Sequence, residues 1–335
     1  MKTKITEMLG IKYPVICGAM LHLGKPELAA AISNAGGLGN ITAGNYDSAD
    51  ELRDAIRQTK ELTSNPFGVN VTRLPSARIT EELIDSWFRV CAEEEVAQVD
   101  VGGRPAGDFI PMLHKAGAKV FHKVGSVKHA LNIQKQGYDA VCIAGFEEGG
   151  RPLSDDVTTM VLTPRAVDTL DIPVVTVGGI SDGRGLAAAL SLGAEGVVMG
   201  TRFLASTDAS AVIHENFQKA IVETPETGTA IVNKVLNLQG RGLVNGCIRQ
   251  VQEIEASIPV SEYGATPENL GKIIPLMAGK RSKEAYVTGD VDYCAFMIGQ
   301  SVGLVYDIKP VQTILDNMVA DAEKILRTQI ARFEA

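Results

Sequence analysis

Along the first two hundred residues, short β-rich apolar runs alternate with longer segments whose apolar positions recur at helical spacing. The runs at 14–20 (PVICGAM), 38–42 (LGNIT), 67–72 (FGVNVT) and 95–102 (EVAQVDVG) read as strands one to four. Those at 118–125 (AKVFHKVG), 138–145 (YDAVCIAG), 173–180 (PVVTVGGI) and 194–203 (AEGVVMGTRF) read as strands five to eight. Helical patterns fall between them near 26–34, 80–92, 107–116, 126–136, 164–170 and 183–192, and a further one carries Leu52, Ile56 and Leu62 on one face. Asp47 or Ser48 can cap that helix, and Gly36-Gly37, Gly137 and Gly193 act as stops for others. Eight strands, each followed by a helical segment, is the count that closes a parallel (β/α)8 TIM barrel. No G-x-G-x-x-G follows the first strand, which argues against an open dinucleotide-binding sheet.

After Phe203 the pattern changes: 212–223 is helical, mixed short segments follow, and 308–333 reads as a long amphipathic helix. With 335 residues the chain holds one barrel plus an attachment. The expected division is a barrel with its C-terminal helix at 1–224 and 300–335, and a small, mostly helical cap at 225–299 beside the barrel mouth. A net charge of −8 offers no basic face for nucleic acid. Five scattered cysteines without a CxxC pair, no apolar run long enough for a membrane span and no leader-like N-terminus point to a cytoplasmic protein with reduced thiols.

Barrel enzymes place their chemistry at the C-terminal ends of the strands. The most specific feature there is the pair VGGISDGRG (177–185) and VVMGTRF (197–203) at the ends of strands seven and eight. Gly178, Gly179, Gly200 and Thr201 would offer backbone N–H groups and a hydroxyl to a phosphate; otherwise these glycines only make tight turns. Lys123, at the end of strand five, has three readings: a cation beside a flavin ring, a Schiff-base lysine, or a lysine snorkelling at a strand end. Asn70 would bond a ring edge or cap its loop. His122 alternates with Lys123 and is expected to face the helices. His22 is a lone loop histidine; His114, His129 and His214 fall in helical patterns. No histidine pair has metal-ligand spacing, so no metal is expected.

PVICGAM, FGVNV, FHKVGSVKHAL, AGFEEGGRP, VGGISDGRGLAAALSLGAEGVVMGTRFLAS and MIGQSVGL together resemble the nitronate monooxygenase family, over residues 5–330. That group also includes flavin-dependent enoyl-acyl carrier protein reductases and NADH:quinone reductases. The resemblance implies FMN, held by Ala19, Met20, Asn70, Lys123, Ala144, Gly150, Gly178, Gly179, Gly200 and Thr201. Many members carry a histidine after strand six that deprotonates a nitroalkane, whereas here the motif reads EGGRP and Arg151 stands in its place. A guanidinium stays protonated and cannot serve as a base, but its planar fork can hold an anionic oxygen. The expected catalytic residues are therefore Arg151 and Lys123, with NADH or NADPH as electron donor and a quinone or activated alkene as small-molecule acceptor. Asp155 and Asp156 would be a replacement carboxylate or a solvated pair capping the loop. Oxidation of an alkyl nitronate with O2 is the alternative within the family. A flavin-free lyase or isomerase using Lys123 on a phosphorylated substrate is the alternative outside it. A homodimer is expected from the class alone.

Overall fold

The structure, a computed structural model, describes residues 1–74, 79–152 and 155–334; of the loop 146–162, residues 153 and 154 lie outside that description. Eight parallel strands run in order around one sheet: β1 (Val15–Cys17), β2 (Gly39–Thr42), β3 (Phe67–Arg73), β4 (Gln98–Gly103), β5 (Lys119–Val124), β6 (Ala140–Ala144), β7 (Val174–Val177) and β8 (Gly196–Met199). From β2 to β8 each strand pairs with the next in sequence, and β1 pairs with β8. The remaining seam, between β1 and β2, is held by a bridge of Ile16 to Leu38 with backbone bonds of 2.8 and 2.9 Å. The fold is the expected (β/α)8 TIM barrel.

Alternation along each strand sorts the side chains into two layers. Ile16, Leu38, Phe121, Cys142, Val175, Val177 and Val198 pack inside the barrel. The helix Lys4–Leu9, which the sequence reading did not anticipate, contributes Ile5 and Leu9 to that same interior cluster. Outward residues such as Val69, Val71, Val99, Val120 and Val141 meet the surrounding helices, with Trp87 and Phe88 of helix Glu81–Glu93 fully buried among them. His122 follows the same parity. It is buried on the helix side, edge-on to Tyr138 at 5.2 Å, as expected.

One boundary moves. The helix expected at 164–170 spans Thr159–Val167, with Pro164 inside it. Proline is a good first helical residue and reads as a start, but the start is set from outside the segment: Glu147 accepts the N–H of Thr159 through both carboxylate oxygens at 3.0 and 2.9 Å, and the Thr159 hydroxyl at 2.9 Å.

Between helix Glu215–Glu223 and the 3-10 turn Gln300–Leu304 lies the hairpin β9 (Thr229–Val232) and β10 (Gly240–Leu243). Three helices, Gly246–Ala256, Pro267–Met277 and Gly279–Thr288, follow it. Val232, Val235, Ile248, Val251 and Ile273 form a small apolar cluster of this region's own. The final helix, Val311–Glu334, packs on helix Gly183–Ser191. Among the described residues no helix is long and apolar enough to cross a membrane.

Candidate active site at the barrel mouth

The strand ends bring most of the expected residues to one place. Inward parity aims Asn70, Asp100 and Lys123 at the mouth from three successive strands, β3 to β5. Asn70 is buried and donates its side-chain amide to Asp100 Oδ2 at 2.9 Å and to the Asp100 carbonyl at 3.1 Å; its own oxygen accepts from Thr72. Lys123 Nζ lies 3.0 and 3.2 Å from the two carboxylate oxygens of Glu148. Glu148 is 5% exposed, and its backbone rides directly on the turn after β7.

That turn is made by Gly178 and Gly179, with φ of +99° and +77°. A side chain at 178 would place its Cβ 2.8 Å from the Glu148 nitrogen, so only glycine both adopts this φ and admits the loop. The Thr159 hydroxyl lies 3.1 Å from the Gly178 carbonyl as well as 2.9 Å from Glu147, its one hydrogen serving whichever of the two it faces. Next along the rim, Gly200 precedes a single helical turn, Thr201–Leu204, and the Met20 sulfur is its nearest neighbour from the loop after β1. The Met20 N–H is fixed by Thr42 Oγ1 at 3.1 Å. Thr201 Oγ1 accepts the N–H of Gly299 at 3.0 Å, which leaves its hydroxyl hydrogen to donate. Among the described residues, the amides of Gly178, Gly179, Gly200 and Thr201 donate to no carbonyl or side chain in the surrounding turns. Four such donors on adjacent strand ends are an arrangement that can receive an anion, a candidate cradle.

Ala144 ends β6 buried beside this cradle, and Ala19 is exposed on the loop after β1. Gly150, with φ of +92°, exchanges backbone hydrogen bonds with Arg241 of β10 at 2.8 and 3.1 Å. Arg151 stands just outside that bridge. It is exposed, with no hydrogen-bond or ion-pair partner among the described residues. The structure therefore gathers Asn70, Lys123, Gly178 and Gly179 tightly, and leaves Arg151 at the outer rim. Asp155 and Asp156 are exposed.

Electrostatics sharpen the picture. Burial opposes the Lys123 ammonium, but Glu148 and then Asp100 outweigh it and hold the amine above its ordinary range. A lysine so held is a cation, not a nucleophile, which weakens the Schiff-base alternative. Burial raises the Glu148 carboxyl against the pull of Lys123, and burial likewise raises that of Asp100. His122 is pushed down to about 4, chiefly by burial. It plays no part at the mouth.

Three participants escaped the sequence reading. Asp100 shares the inward parity of Asn70 and Lys123, a signal that was available in QVDVG. Glu148 stood inside the quoted motif but without a partner. Arg241 had no local signal at all. It is 2% exposed, its guanidinium donates twice to the Phe146 carbonyl at 3.1 and 3.2 Å and once to Thr229 Oγ1, and it stacks over the Phe146 ring. Through it, β10 clamps the loop that carries Glu148 and Arg151. A half-open groove of about 550 Å³ lies outside the barrel, lined by Arg184, Tyr306 and Lys324 among others. None of the strand-end residues above faces it.

The whole-chain comparisons agree with this geometry. The family model described as nitronate monooxygenase matches residues 2–321. A curated relative from Staphylococcus aureus strain Newman, named as a probable nitronate monooxygenase, is 33% identical, with 97% of this chain and 99% of that one covered. FabK from Thermotoga maritima is 35% identical with a TM-score of 0.88, over 99% of both chains. A nitroalkane oxidase from Streptomyces ansochromogenes, 24% identical with a TM-score of 0.81 over 97% of this chain and 99% of that one, shares the fold. With a family match across nearly its whole length and relatives a third identical from end to end, the chain belongs to the nitronate monooxygenase family and is a flavin-dependent oxidoreductase.

Proposed function

We propose that the chain holds FMN across the barrel mouth and passes electrons from NADH or NADPH to an electrophilic small molecule, a quinone or an activated alkene. The residues present fit such a cofactor. The amides of Gly178, Gly179, Gly200 and Thr201 and the Thr201 hydroxyl would take the phosphate. Asn70 and Lys123 would face the ring edge, while Ala19, Met20, Ala144 and Gly150 would line its faces and rim. When bound, the flavin supplies two-electron hydride transfer.

The observation that carries the reductive reading is Arg151. Its position, where many relatives hold a base, cannot accept a proton at any working pH. Exposed at the rim and, among the described residues, without a partner, it can instead hold an anionic or carbonyl oxygen of the acceptor and stabilise charge that develops there. Lys123, kept protonated by Glu148, holds an ammonium at the end of β5, paired with that carboxylate. The likeness to FabK, an enoyl-acyl carrier protein reductase, supports an alkene acceptor, whereas the names of the curated relatives support a nitronate.

The test is the visible spectrum of protein loaded with FMN, followed under exclusion of oxygen. NADH or NADPH is expected to bleach the flavin band, and a quinone or enoyl thioester to restore it. Bleaching by an alkyl nitronate and by neither nucleotide would replace the reductase reading with nitronate oxidation. A chain that takes up no FMN would remove the cofactor assignment.

A further inference from the structure

We propose that Glu148 is the group at which this protein takes up a proton when electrons reach the flavin, so that Lys123 is released to face the new negative charge. The inference rests on the reading above that a flavin lies against Lys123.

The argument begins with a count of charges. Asp100 from β4, Lys123 from β5 and Glu148 from the loop after β6 form one cluster, with Lys123 Nζ 3.0 Å from Glu148. Fully ionised, it has two carboxylates and one ammonium, an excess of one negative charge. The carboxylates are poorly solvated: Glu148 is 5% exposed, and Asp100 Oδ1 is a buried oxygen with no hydrogen-bond partner. Uncompensated charge in such a place favours binding a proton. Further negative charge arriving at the mouth strengthens that demand.

Among the described residues, no neighbouring group relieves it. On β6, the Cys142 thiol is buried and held well above its ordinary range by burial, so it stays neutral. Glu147, on the same loop, is turned away to cap Thr159. Arg241 is committed to the Phe146 carbonyl and Thr229. Just after β7, the Gly178 backbone lies against Glu148. Arg151 sits exposed on the rim.

Between the two carboxylates, geometry selects Glu148. Among the described residues both of its oxygens are held by Lys123 alone, so losing that ammonium leaves it without a donor there. Asp100 keeps the Asn70 amide on Oδ2 whatever Lys123 does. The balance is simple: two electrons and one proton enter with the hydride, and a second proton comes from solvent to a Glu148 carboxylate oxygen. On reoxidation that second proton leaves and the ion pair closes again. Glu148 acts here through Lys123, as a charge-compensating and positioning residue.

The test uses FMN-loaded protein reduced at an electrode, read by infrared difference spectroscopy and by the pH dependence of the midpoint potential. The carbonyl band of a protonated carboxylic acid is expected to appear on reduction. It should vanish in Glu148→Gln and persist in Asp100→Asn. Around neutral pH the potential of the parent protein should fall about twofold more steeply with pH than that of Glu148→Gln, which takes up one proton fewer. A parent protein without the band, or a band kept by Glu148→Gln and lost from Asp100→Asn, overturns the assignment. The flavin spectrum and Trp87 fluorescence of each variant report folding independently. Failure to bind FMN shows before any reduction and defeats the reading beneath this inference, whereas a bound, reducible flavin without the proton signature defeats the inference alone.

Discussion

Replacing Gly178 with alanine separates two costs that usually arrive together. At φ of +99° an L-residue is strained, and the new Cβ would also sit 2.8 Å from the Glu148 nitrogen and 3.2 Å from its Cα. Gly137 supplies the control: its φ is +86°, yet a Cβ there meets nothing within 4 Å. Gly137→Ala should therefore cost only the conformational term, about 1 kcal/mol. Gly178→Ala should cost that plus an overpacking term against backbone, which cannot swing aside, for a total of roughly 2–4 kcal/mol. Urea unfolding followed by Trp87, the only tryptophan and fully buried, measures both variants without a label. The clash also displaces Glu148 and the turn beneath the anion cradle, so FMN affinity should fall in Gly178→Ala and hold in Gly137→Ala. If the two variants unfold within about 0.5 kcal/mol of each other, the claim that this turn is built around the Glu148 backbone is wrong.

Two other outcomes follow from buried charge. The His122 imidazole is held down to about 4, against an ordinary value of 6.5, first by burial. Since the folded state resists protonation, its contribution is fully present above pH 6.5 and is lost as pH falls from there toward 4, by roughly 3 kcal/mol at most. His122→Phe should flatten that limb of the stability profile, and an unchanged limb would mean the ring is solvated. In Arg241→Met the Phe146 carbonyl loses both donors and the ring loses its cation, partly offset by no longer burying a guanidinium. A net loss of roughly 2–3 kcal/mol is expected, with a raised KM for the acceptor as the 146–151 loop loosens. Unchanged melting and unchanged KM together would show that the hairpin does not hold that loop.

The barrel was legible because each strand states its own identity. Alternating Phe121-His122-Lys123 against Cys142 and Ile143 sorts inside from outside without any partner in view, and the observed register follows that parity. The glycine pair after β7 was legible for the same local reason, since a turn that must run at positive φ leaves a residue-type mark. What stayed hidden depends on distant pairing. Nothing in EEGGR tells which glutamate meets Lys123 and which caps a helix twelve residues on; β7 and the Gly178 turn decide it by where they seat the backbone. The buried Arg241 is hidden for the same reason, because its partner lies 95 residues away in sequence. Pro164 misled for the opposite reason: a strong local signal was overridden by a cap from another loop.

All five cysteines are buried, and they are spread across four different apolar clusters. Cys142 lies inside the barrel and Cys91 beneath the helices of β3 to β6; Cys247 sits in the small cluster under the hairpin, and Cys17 and Cys294 belong to the layer that joins the two. Burial also raises each thiol above its ordinary range, so an alkylating reagent has neither access nor thiolate to attack in the native state. The native chain thus carries an internal set of chemical clocks. The order in which its thiols become alkylated as denaturant rises, read peptide by peptide in a mass spectrometer, maps which layer of the molecule opens first.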